Sequence, residues 1–184
     1  MDPINDPRWD ETGAVSPEEY AYWVERACGV ACVKMCVEAL GGERVSLVEW
    51  ARAGVALGGY LIEHPRGRPK ERGWLHHTLA ELITRSGFHA NPLQISMNEI
   101  ANQLKLGRMV IASVSCEIGD EVPVTRKGGH LVVVVGAEIN HEELKGFIIH
   151  NPSGRIHALQ AGAYIPSVIF EQGYAGRVIV AGKG

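Results

Sequence analysis

Three stretches of the chain open in the same way, with a serine followed three residues later by a glutamate: Ser16 and Glu19, Ser46 and Glu49, Ser96 and Glu99. In each, the serine hydroxyl can accept from the amide three residues on while the carboxylate reaches back, so each marks a helix start. Pro17 reinforces the first, because an opening helical residue has no partner for its amide. A fourth helix is predicted through WLHHTLAELITRSG, where Leu75, Leu79, Leu82 and Ile83 form an apolar stripe and Gly87 ends it. Beyond it the period changes. Residues 109–114, 131–135, 147–149 and 178–180 are short β-branched runs bounded by Gly, Asn, Pro or charged residues, and they read as strands.

Helices therefore dominate the first half and strands the second, which predicts an α+β fold with an antiparallel sheet. The polar stretch 138–145 reads as a loop closing an antiparallel hairpin between two of the strands. The first fifteen residues form an expected N-terminal arm and residues 16–184 a single domain. The arm and the Gly- and Pro-rich stretch 58–73 are the expected loose surface segments. With 18 basic against 21 acidic residues and a net charge of −3, no cationic surplus exists to neutralise phosphates, so a nucleic-acid partner is not expected. The basic run RGRPKER at 66–72 is too short to change this. The apolar runs are of strand length, so no membrane insertion is expected. The first residues carry acids and prolines where a secretion signal would be basic and then apolar, which predicts a cytoplasmic protein with free thiols.

Cys28, Cys32 and Cys36 recur every four residues and share one helical stripe, while Cys116 lies in an apparent strand. The spacing does not match paired zinc ligands, and adjacent His76 and His77 point about 100° apart on a helix, so neither a metal nor another cofactor is expected. Cys32 and Cys36 read as small buried hydrophobes. Cys28 is different. It precedes Gly29 at a helix start, where free amides and the peptide dipoles favour a thiolate, so it is the candidate nucleophile.

Such a thiol needs an imidazole. Of the eight histidines, His64, His89, His141 and His157 have polar or loop-like neighbours, and one of His76 and His77 should face solvent. His130 follows Lys127-Gly128-Gly129 and opens the strand LVVVVG. With Gly136 placed near residue 145 or 146, the hairpin puts His130 opposite Asn151 to within one residue, where the asparagine could fix the ring's tautomer. The alternative for Asn151-Pro152-Ser153-Gly154 is a plain turn.

The segments ACGVACVKM, GWLHHTLAELITRSGF, ISMNEIANQLKLGRMVIASV, GGHLVVVVGAE and GFIIHNPSG together resemble the peptidase C39-like proteins. These are relatives of papain-type thiol proteases and include bacteriocin-processing domains of peptide exporters. The resemblance spans roughly residues 20–155. It implies a papain-like fold, with a helical half packed on a C-terminal antiparallel sheet, Cys28 as nucleophile, His130 as general base and acid, and Asn151 where such peptidases usually carry aspartate. It also implies a peptide substrate, with double-glycine leaders the candidate class. The exporter-linked members place an oxyanion-hole glutamine a few residues before the cysteine, and residues 20–26 contain none; the Cys28 amide, with Trp23 or an arm residue, is the expected replacement. The leading reading is a thiol hydrolase cleaving a peptide or amide bond through a Cys28 acyl-enzyme. The alternatives are a catalytically weak or inactive peptide-binding module and an acyltransferase using the same cysteine and histidine.

Overall fold

All three serine-led starts form helices: α1 (Pro17–Val24), α3 (Leu47–Ala56) and α5 (Met97–Lys105). The reciprocal box is complete at Ser46 and Ser96. At α1 only half of it forms. Ser16 accepts from the Glu19 amide, but the Glu19 carboxylate takes the Val15 amide at 2.8 Å and the Arg52 Nε of α3 at 2.9 Å. A carboxylate able to bind a guanidinium on a neighbouring helix gains a charge-assisted bond that the box lacks. The structure is a computed structural model that describes residues 3–63, 70–120, 122–153 and 157–184, without the side chains of residues 157 and 158. His64 and residues 66–69 of the basic run lie outside the described residues, as does Gly154.

The remaining elements are α2 (Cys28–Ala39), β1 (Tyr60–Glu63), β2 (Lys70–Trp74), α4 (His76–Arg85), β3 (His89–Gln94), β4 (Met109–Ser115), β5 (Gly129–Asn140), β6 (Glu143–His150), α6 (His157–Gln160), β7 (Ala161–Pro166), α7 (Ser167–Gly173) and β8 (Arg177–Gly182). Six strands form one antiparallel sheet in the order β3-β8-β4-β5-β6-β7, and β1 pairs with β2 apart from it. The fold is thus α+β with an antiparallel sheet, as the change of period predicts. Alternate residues of the central strands enter different cores. Ile111, Leu131, Val133 and Ile179 pack with α1–α4, whereas Val110, Ala112, Val132, Val134 and Val178 pack with Ile100 of α5 and Phe170 of α7. A sheet buried on both faces has no polar alternation, which is why LVVVVG reads as one continuous apolar run.

Three expectations need correction. Residues 138–145 are not a loop: β5 and β6 run on to Asn140 and Glu143 and close through His141 and Glu142, both left-handed with φ of 49° and 66°. A two-residue turn of this hand matches the strand twist. The turn at His141-Glu142 and an irregularity between Glu138 and Ile139 set the register, so Gly136 pairs with Ile148, and the ladder ends at Val133 and His150. The arm is not loose where it is described. Asp6 is buried and accepts from the Arg8 amide at 3.0 Å and the Tyr20 hydroxyl of α1 at 3.1 Å, fastening the arm to that helix. The Gly-rich stretch 58–73, where described, supplies the β1–β2 hairpin.

Trp74, at the end of β2, sets the position of the α2 start. Its indole donates to the Arg26 carbonyl at 2.7 Å, just before that helix. A Cβ on Gly29 of α2 would come within 2.7 Å of the indole, and one on Gly54 of α3 within 2.5 Å, so two helices reach the ring only because both residues are glycine. Gly54→Ala should therefore destabilise the protein by about 1–2 kcal/mol in chemical denaturation, despite the gain of about 1 kcal/mol that alanine ordinarily brings inside a helix. In a Trp74→Leu background the same substitution should cost much less, and equal cost in both backgrounds would contradict the wedge.

Candidate active site

Cys28 begins α2, whose cap residue Ala27 has no side chain able to satisfy the first amides. The helix runs against β5, so its N-terminus meets the strand that starts at Gly129. Cys28 and His130 line one pocket of about 240 Å³, together with Trp74, His76, Leu131 and Arg177. Cys32 and Cys36 lie deeper on the same stripe, fully buried in the core, as small hydrophobes. Their thiols are pushed upward by burial, Cys36 to about 12. Cys116 is partly exposed, with the Arg126 guanidinium 2.7 Å from its sulfur.

His130 Nε2 lies 2.8 Å from Asn151 Oδ1, and both residues are buried. The hydrogen bond forms although the register is not the one anticipated. The ladder stops one residue short of Asn151, whose amide turns to the Gln160 carbonyl at 2.7 Å, and the side chain spans the remaining distance. Asn151 Oδ1 also accepts from the Ser153 amide at 3.0 Å. A backbone N–H can only donate, so the atom facing the ring is the oxygen, and Nε2 must carry the proton. In neutral His130 the basic nitrogen is therefore Nδ1. The tight turn at Asn151-Pro152-Ser153 and the histidine contact are thus the same feature.

The electrostatics differ from a preformed thiolate. Burial pushes the Cys28 thiol above its ordinary value, and the amides of Leu131, Gly29 and Cys28 itself only partly oppose it. Burial pushes His130 below its ordinary value, opposed by the Asn151 bond and by the negative charge of Asp120. Desolvation thus opposes the thiolate expected from the helix start alone, and burial favours the neutral forms of both groups. Trp23, the suggested oxyanion donor, is packed among Tyr22, Tyr60 and Trp74 and does not line the pocket. The amide of Cys28 remains as a donor.

Two pocket residues escaped the sequence reading. His76 opens α4, with its Nε2 buried and without a hydrogen-bond partner among the described residues, and Arg177 opens β8. His77 faces solvent. The adjacency of His76 and His77 was legible, but nothing local shows that one of them turns toward Cys28.

No protein-family model matches the sequence, and no curated protein matches it. Solved structures do. The chain is similar to the peptidase domain of Streptococcus ComA, a bifunctional ABC transporter involved in quorum sensing, with a TM-score of 0.60 and 16% identity over 87% of this chain and 93% of that one. A putative C39-like peptidase from Bacillus anthracis gives 0.61 and 18%, covering 87% and 90% of the two chains. A double-glycine-motif protease from an AMS/PCAT transporter, solved in complex with the leader peptide, gives 0.57 and 14% over 85% and 84%. At these identities the likeness is one of fold: the chain has the fold of C39 peptidase domains.

Mapping of iodoacetamide adducts by mass spectrometry should find Cys28 labelled in the native protein, with Cys32 and Cys36 unlabelled. His130→Ala should slow Cys28 by at least about tenfold while leaving Cys116 unchanged. A Cys28 rate indifferent to His130 would separate the two residues.

Proposed function

We propose that the protein is a thiol hydrolase that cleaves a peptide bond through an acyl-enzyme on Cys28. The observation that carries this reading is the His130–Asn151 hydrogen bond, which directs Nδ1 as the base in a pocket that Cys28 lines at a helix start. His130 Nδ1 takes the thiol proton as sulfur attacks the scissile carbonyl, and the Cys28 amide donates to the developing oxyanion. Collapse of that intermediate breaks the C–N bond, and the imidazolium returns the proton to the leaving amine. Water then attacks the thioester with its proton passing to His130, which releases the acid and restores the thiol.

Asn151 acts by orientation, since it holds Nε2–H without taking a charge. The pocket, of about 240 Å³, has Trp74 and Leu131 in its lining, bulk that favours small residues beside the scissile bond. Leader peptides ending in two glycines are therefore the proposed substrates, in line with the leader peptide bound by the similar transporter protease. Four free cysteines suit a cytoplasmic setting. Among the described residues no helix is long and apolar enough to cross a membrane. A binding role without turnover is the second reading. It is favoured by the absence of a glutamine in residues 20–26 and by burial, which disfavours the charged forms of both groups; one lost donor lowers turnover by about 10²–10³.

Cleavage of a double-glycine leader peptide, followed by chromatography, should stop in Cys28→Ala and His130→Ala; wild-type binding without cleavage would select the second reading. The active pair carries one proton. It gains a second only below His130's lowered value and loses its last only above Cys28's raised value, so kcat/KM should be level between an acid limb below 6.5 and an alkaline limb above 9.0. Asn151→Asp, by adding a negative charge at Nε2, should move the acid limb upward. A narrow bell centred near neutrality would contradict the neutral pair.

A further inference from the structure

Beside the Cys28 pocket lies a second, of about 390 Å³, lined by Pro92, Leu93 and Val178 among others; the two share Leu75, His76 and Arg177. They form one groove with His76 and Arg177 at the junction. The charge along it is of one sign. Among the described residues no carboxylate lines either pocket, although the chain as a whole is acidic. Arg72 also lines the groove, but it is matched by Glu63 at 2.7 Å. Arg177 forms no ion pair among the described residues, and its charge falls on His76, whose Nε2 is buried and unpartnered. An imidazole beside a guanidinium is a repulsive arrangement once protonated and an unsatisfied one while neutral. An anion at the junction removes the repulsion and pairs the guanidinium.

We propose that His76 and Arg177 form an anion subsite that seats a carboxylate of the substrate close to the scissile bond, since both line the pocket that holds Cys28. Leu75, Leu93, Pro92 and Val178 give the groove apolar wall while Gln94 and His77 add polar groups without negative charge, so the occupant is an acidic group on an otherwise uncharged stretch of peptide. Arginine supplies the planar donor pair that a carboxylate fits, and the His76 ring lines the junction beside it. The substrate assignment rests on the acyl-enzyme reading of Cys28; the positive character of the groove does not.

The test compares iodoacetate with iodoacetamide on the full chain, reading the rate at Cys28 by peptide mapping and dividing one rate by the other. Intrinsic thiol reactivity cancels in the ratio, which reports attraction of the carboxylate alone. It should exceed the ratio for glutathione by about fivefold and fall by at least about threefold in Arg177→Gln, with a similar fall in His76→Gln. Arg177 is exposed, and persistent protection of Cys32 verifies that each variant is folded. A ratio unchanged by Arg177→Gln overturns the subsite. Failure of the hydrolase reading looks different: absolute iodoacetamide rates at Cys28 would then ignore His130→Ala while the ratio still responded to Arg177. Short peptides carrying glutamate or glutamine, each as C-terminal acid and amide, then compete with iodoacetamide. Protection by glutamate peptide amides assigns an acidic side chain, protection by free acids alone assigns a chain terminus, and protection by neither overturns the proposal.

Discussion

One oxygen atom organises the site. Asn151 Oδ1 accepts from the Ser153 amide and from His130 Nε2 at once, and the first of these bonds fixes its identity for the second. Because the amide can only donate, the asparagine cannot flip without losing its bond to Ser153, and the imidazole is confined to a single tautomer. Everything proposed for the pocket follows from which ring nitrogen is left basic. The sheet is what makes this possible: β5 and β6 are joined by the tightest hairpin turn, and their far ends therefore bring residues 130 and 151 within reach.

The wedge at Trp74 performs the matching task for the sulfur. By packing on Gly29 and Gly54 and holding the Arg26 carbonyl, it ties α2 to α3 and to the loop before Cys28. The cost of this enclosure is electrostatic. Excluding water from both reacting groups raises one and lowers the other, which favours keeping the proton on sulfur over storing an ion pair. Electrostatic demand is thereby moved from the resting enzyme to the transition state, where donors and nearby charge have most effect.

Much of this was legible in the sequence because it is local. Serine–glutamate pairs specify helix starts through bonds spanning three residues, and both complete boxes formed as written. The two-sided burial of β4, β5 and β8 also shows directly as unbroken apolar runs. What escaped depends on partners distant in the chain. His141 and Glu142 are not turn-typical enough to reveal a two-residue turn, so the hairpin was read too long and the register misplaced. Glu19 abandoned its own helix for Arg52, which no local rule predicts. His76 looks like any histidine at a helix start, and only β8, arriving about a hundred residues later, supplies the arginine that gives it a role.

Nitrogen-15 NMR of the imidazole rings reads the tautomer and charge of His130 without any substrate. The expected result at neutral pH is an uncharged ring protonated at Nε2 alone, becoming a mixture of tautomers in Asn151→Ala. A ring protonated at Nδ1, or an imidazolium at neutral pH in the resting protein, would contradict the account.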